Sequence, residues 1–117
     1  MRAFSAGFVL WILAFDVASA GTTTTAAILA NPSLYDGKHV IVTGSVSTLR
    51  TKISGKGNAY ETFSICDSGC IRVFTFGTPS TVQDGSRITV EGTFSAVKTV
   101  GQYRFKNEIE ADDGSLR

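Results

Sequence analysis

The sequence predicts an all-β domain: a five-stranded barrel with Greek-key connectivity, carrying a short helical segment at its N-terminal end and preceded by a signal peptide. Three observations lead there. From residue 38 onward, runs rich in Val, Ile, Thr and Phe alternate with period two, which is the mark of half-buried strands. Glycine-rich polar stretches separate those runs at short intervals. The 117-residue chain, once shortened by its leader, has room for a single modest core and no second domain.

The leader is residues 1–20. Arg2 supplies positive charge, an apolar run AFSAGFVLWILAF follows, and Ala18-Ser19-Ala20 provides small residues for cleavage before Gly21. The run is shorter than the roughly 20 residues that span a bilayer and no stop-transfer charge cluster follows it, so no stable membrane insertion is expected after cleavage. The expected location is exported, periplasmic or secreted. No cysteine at the cleavage point invites a lipid.

Residues 21–34 form an N-terminal segment. It starts as a polar thread, and TAAILANPSLYDG supports one or two helical turns ending before Pro32. Residues 35–111 hold the strands. KHVIVTGSVSTL (38–49) reads as a long first strand with Val40, Val42 and Val46 on one parity and Gly44 at a bulge or bend. RTKISGKGNAY (50–60) is expected to be an exposed basic loop. The second and third strands, 60–66 and 70–76, flank Asp67-Ser68-Gly69, a three-residue hairpin loop with Gly69 expected in the left-handed region.

Counting outward from that turn pairs Cys66 with Cys70, Ile65 with Ile71, Ser64 with Arg72, Phe63 with Val73, Thr62 with Phe74 and Tyr60 with Phe76. Cross-strand partners share a face. Phe63, Ile65, Ile71 and Val73 are then core, and Tyr60, Thr62, Ser64, Arg72, Phe74 and Phe76 lie on the other side. GTPSTVQDG (77–85) is a connection too polar for a helix. A fourth strand, 86–94, turns Ile88 and Val90 inward, 96–101 is a second basic loop, and a fifth strand, 102–110, places Tyr103, Phe105 and Ile109 together. Residues 112–117 are expected to be a flexible acidic tail.

Cys66 and Cys70 are the only cysteines. A structural zinc site needs about four N or S ligands, and the single His39 lies far away, so no metal is expected here. Redox exchangers place their pair at the start of a helix after a strand, whereas these residues flank a β-turn. A disulfide across the hairpin mouth remains, suited to an oxidising compartment. It closes so small a loop that it contributes only about 1 to 2 kcal/mol. Its main effect is on register.

Charge is uneven along the chain. From residue 37 to 106 there are nine Lys or Arg against four acids, a net of +5, while residues 107–117 hold four acids and one Arg. That balance permits an anionic partner without requiring one. No catalytic set assembles: His39 has no nucleophile beside it, Asp67 belongs to a turn, Asp36 and Asp84 precede glycines, and Glu108 and Glu110 alternate at a strand end where solvated charge is usual. A non-enzymatic protein without cofactor is expected.

YDGKHVIVTGSV, ETFSICDSGCIRVFTFG and DGSRITVEGTF together resemble the OB-fold family of the tRNA-anticodon and nucleic-acid-binding type, in an exported bacterial variant. The match runs over about residues 35–111. Two features depart from it: the cysteines in the second hairpin, and the missing helix between the third and fourth strands, whose place the segment before Asn31 is free to take. The resemblance implies a ligand lying across the second and third strands between two loops. Carried onto this chain, that surface is Tyr60, Arg72, Phe74 and Phe76 on the sheet, Arg50, Lys52 and Lys56 in the first loop, and Lys98 with Arg104 around the second. Aromatic rings beside cations suit single-stranded nucleic acid or another extended anionic chain. The alternative is a protein partner or small molecule with no nucleic-acid affinity, with Phe74 and Phe76 covered by the N-terminal segment, Lys52 and Lys56 serving only solubility, and His39 an ordinary strand-edge residue.

Overall fold

The computed structural model describes residues 19–76, 82–112 and 116–117. The expected leader, apart from its last two residues, and positions 77–81 of the expected connection lie outside the described residues. Among the described residues, six strands and two short helices follow in the order β1 (Ser19–Thr22), α1 (Thr25–Ala30), α2 (Pro32–Tyr35), β2 (His39–Ile53), β3 (Ala59–Cys66), β4 (Cys70–Phe76), β5 (Arg87–Val100) and β6 (Tyr103–Ala111). Neighbours in the sheet run β1-β2-β3-β4-β6-β5, and β5 pairs again with β2. Five strands therefore close into a ring of hydrogen-bonded pairs. Among the described strands, β1–β2 and β4–β6 are parallel and the other pairs antiparallel.

The ring closes because β2 serves two partners. Residues 39–45 pair with β5, and from Ser45 the strand turns to pair with β3. Gly44 sits at the crossing: a Cβ there would stand 2.7 Å from the Cys66 carbonyl oxygen, so close approach of two backbones demands the glycine. The bulge itself lies further on. Register shifts between Ser47 and Arg50, and Thr48 takes up the extra residue at φ 58°. The Asp84 carboxylate fixes the irregularity by accepting the Leu49 N–H at 2.8 Å.

The hairpin register is as the turn predicts, all six pairs from Tyr60–Phe76 to Cys66–Cys70 being present. A disulfide joins Cys66 to Cys70, with Cα atoms 4.1 Å apart. Phe63, Ile65, Ile71 and Val73 are buried with Val40, Val42 and Val46 inside the ring. Gly69 differs from expectation. It does not adopt positive φ; a Cβ on it would instead lie 2.7 Å from Leu29 Cδ1, and its N–H donates to Thr25 Oγ1 at 3.3 Å. The glycine makes room for α1. That helix, capped by Thr24 Oγ1 accepting the Ala27 N–H at 3.0 Å, drives Ile28 fully into the core. It thus covers the end of the ring beside the disulfide hairpin.

Other differences have local causes. A sixth strand, β1, occupies the edge of β2 at residues 39–41 that β3 does not reach. Both expected basic loops are largely strand: β2 continues to Ile53 with β3 resuming at Ala59, and β5 continues to Val100. Hydrogen bonding between partner strands carries these hairpins beyond the buried core, where no alternation of apolar residues announces them. Asn107 at φ 55° breaks the period of β6, so Phe105 does not share a side with Ile109. Of the expected flexible tail, positions 113–115 lie outside the described residues, while Leu116 packs against the core and Arg117 exchanges backbone hydrogen bonds of 3.0 Å with Thr89. Among the described residues, no helix is long and apolar enough to cross a membrane.

Candidate ligand-binding face

The outer wall of the ring carries the chemistry. On β3 and β4 every second side chain points away from the core, and pairing aligns these residues into rows. Lys52 lies across from Tyr60, and Tyr60 across from Phe76. The next row runs Arg50, Thr62, Phe74 and Glu110, and the one after it includes Ser64, Arg72 and Glu108. Three of these positions are aromatic, and their rings touch: Tyr60 and Phe74 centroids are 5.1 Å apart in a tilted arrangement, and Phe74 and Phe76 are 5.0 Å apart edge to face.

Around these rings a cleft of about 400 Å³ is lined by Tyr60, Arg72, Phe74, Phe76, Lys98, Val100, Phe105, Glu108 and Glu110. This is within the usual size range of small-ligand pockets. Its charges are arranged in a chain. Arg72 Nε donates to Glu108 Oε2 at 3.1 Å while its guanidinium lies 5.2 Å from the Phe105 centroid. Lys98 Nζ is 3.3 Å from Glu108 Oε1, 3.6 Å from Glu110 Oε1 and 4.9 Å from the Phe74 centroid. The Glu108 side chain is only 4% exposed, and both its oxygens are engaged, as a buried carboxylate requires. Two cations and two carboxylates leave the cleft without net charge.

Five of the nine expected site residues thus line one cleft: Tyr60, Arg72, Phe74, Phe76 and Lys98. Arg50 and Lys52 stand one strand away on the same outer face, put there by the bulge. Lys56 lies in the tight connection between β2 and β3, where Ser54 and Asn58 are hydrogen-bonded. Arg104 is not part of this face: it pairs with Thr99, one position out of step with the Lys98–Phe105 pair that lines the cleft. Phe76 is half exposed, so the N-terminal segment does not cover it.

Phe105, Glu108 and Glu110 are cleft residues that sequence reasoning did not find. Strict alternation sets Phe105 beside Ile109, and only the left-handed Asn107 brings it round to Glu108. The two glutamates looked like solvated strand-end charge, and nothing in the local sequence signals the partners that bury Glu108.

No protein-family model matches the sequence, and no curated protein does. Among solved structures, the chain is similar to the OB domain of a protein from Thermoplasma acidophilum, determined in solution by NMR. The TM-score is 0.54 at 18% sequence identity, over 84% of each chain. At that identity the likeness is one of fold. The chain has an all-β, OB-like fold.

Proposed function

We propose that the protein is an exported, non-catalytic OB-fold binding module whose outer face holds a single nucleic-acid strand or a similar extended anionic chain bearing flat rings. The observation that carries this reading is the row Lys52–Tyr60–Phe76 beside Arg50–Thr62–Phe74: cations on one strand, open aromatic rings on the next two. Rings such as Tyr60 and Phe76 support bases by stacking, at about 1–3 kcal/mol each, while neighbouring cations follow the phosphates. Arg50, Lys52 and Lys56 make no ion pair among the described residues, so their charge is available. Arg72 and Lys98 are already neutralised by Glu108 and Glu110, so on this reading the β2 side tracks the backbone and the cleft stacks the bases. Export rests on the leader-like residues 1–20, and the Cys66–Cys70 disulfide suits that compartment.

The balanced charge of the cleft favours a second reading, in which it takes a protein partner or small molecule and has no affinity for nucleic acid. Fluorescence polarisation of a labelled oligothymidine at two salt concentrations separates the two. Phosphate binding weakens steeply as salt rises. An absence of binding at low salt with micromolar protein overturns the first reading.

A further inference from the structure

Outside the groove, three elements bring together one imidazole and two carboxylates. His39 opens β2, Glu91 lies on β5, and Asp112 directly follows β6. Nε2 of His39 is 3.0 Å from Oδ2 of Asp112 and 3.4 Å from Oε2 of Glu91, and all three donor atoms lie within 4.8 Å of one another. The backbone sets this geometry. His39 pairs with Thr93 and Ile41 with Glu91, which makes His39 and Glu91 diagonal neighbours on one face. The Asp112 N–H donates to the Glu91 carbonyl at 2.9 Å, holding the second carboxylate alongside.

We infer that His39, Glu91 and Asp112 form a binding site for a divalent transition-metal cation. One imidazole nitrogen carries at most one proton, so it donates to one carboxylate at a time, whereas a cation among the three is shared by all of them. The two separations from His39 Nε2, 3.0 and 3.4 Å, suit such an ion. With donors about 2.1 Å from the metal, neighbouring ligand atoms are about 3.0 Å apart in an octahedron and about 3.4 Å apart in a tetrahedron. An imidazole with two carboxylates is a donor set of intermediate hardness that suits Zn²⁺ or Mn²⁺ better than a thiophilic ion. Arg117 Nη2 stands 3.6 Å from Oε1 of Glu91, the oxygen other than the one turned to His39, in the manner of an outer-sphere partner that orients a ligand.

Three protein ligands leave a coordination position for water or a ligand oxygen. Asp112 and Thr93 also line a second cleft, of about 390 Å³, that shares Phe76 and Glu110 with the groove on the outer wall. The ion is therefore placed beside the groove, where its open position can take an anionic oxygen from solvent or from a bound molecule. His39, Glu91 and Asp112 are spread along the chain with no ligand spacing between them, so no local motif announces the site.

The test is isothermal titration of the chelator-stripped mature protein with Zn²⁺, alongside the visible spectrum of the Co²⁺-loaded protein. One ion per chain is expected, with ligand-field bands from Co²⁺. His39→Ala, Glu91→Gln and Asp112→Asn should each weaken Zn²⁺ binding by about tenfold or more, the scale on which even outer-sphere partners act. Asp67→Asn, an exposed acid in the β3–β4 turn outside the trio, should leave it unchanged. Absence of saturable binding at millimolar Zn²⁺ overturns the inference, as does an affinity unaltered in a folded His39→Ala variant. The wild-type Co²⁺ spectrum needs no variant, and a spectrum identical to that of the free hydrated ion counts equally against the site.

Discussion

Lys52 of β2 stands directly across from Tyr60 of β3 on the outer wall, although both belong to strands whose buried residues fill the ring. The cause is one extra residue. Along β2, Val40, Val42 and Val46 point inward, and unbroken alternation would send Arg50 and Lys52 the same way. The bulge between Ser47 and Arg50 reverses that parity. Two cations that would otherwise point to the opposite face of the sheet become neighbours of an aromatic shelf.

Asp84 should control this arrangement. Its carboxylate accepts the Leu49 N–H at 2.8 Å, so Asp84→Ala leaves the bulge without its cap. A loss of about 1–2 kcal/mol in stability is expected from urea denaturation, the scale of a hydrogen bond to a charged group near the surface. An unchanged midpoint would show that the bulge holds without Asp84.

Phe76 is half exposed and packs edge to face on Phe74. Phe76→Ala should lower affinity for oligothymidine by about 1–3 kcal/mol, with a stability change below about 1 kcal/mol. Polarisation and thermal melting together check this. A variant that melts early and binds normally would make the ring a packing residue.

Glu110 works against an anionic ligand. Its side chain is about half exposed and pairs with Lys98 at 3.6 Å, so Glu110→Gln removes a negative charge while Lys98 stays paired with Glu108 at 3.3 Å. Affinity for oligothymidine at low salt should rise several-fold, consistent with about 1 kcal/mol for unit charges near 4 Å in water. The gain should shrink as salt screens it. Weaker binding in the variant would contradict the assignment.

Reduction of the Cys66–Cys70 bridge should add two daltons to the intact mass. The Cys66→Ser/Cys70→Ser variant should lose about 1–2 kcal/mol, or about 4–8 °C in melting temperature for each kcal/mol in a domain of this size. Gly69→Ala leaves the bridge intact but pushes against Leu29, so it should destabilise by displacing α1. A Gly69→Ala variant as stable as wild type would remove that packing argument.

How much of this could be read from the sequence depended on whether a residue's surroundings were local. The β3–β4 hairpin was legible pair by pair, because a three-residue turn fixes register and Phe63, Ile65, Ile71 and Val73 declare the buried face. The cleft was legible only on that hairpin. Phe105 reaches it through the left-handed Asn107, and Glu108 is buried by Arg72 and Lys98, which come from two other strands. Neither event leaves a mark within a few residues. The same holds for Gly69, whose constraint comes from Leu29, forty residues earlier in the chain.

The dependence of oligothymidine affinity on salt, compared between wild type and an Arg50→Ala/Lys52→Ala double variant, tests the outer face most directly. Each phosphate neutralised on a single strand contributes about 0.7 to the slope of log affinity against log salt. If both side chains track phosphates beside Tyr60 and Phe76, the slope should fall by about 1.4 in the double variant. An identical slope in the two proteins would contradict the account, since the strand would then bypass the cations that the bulge turns outward.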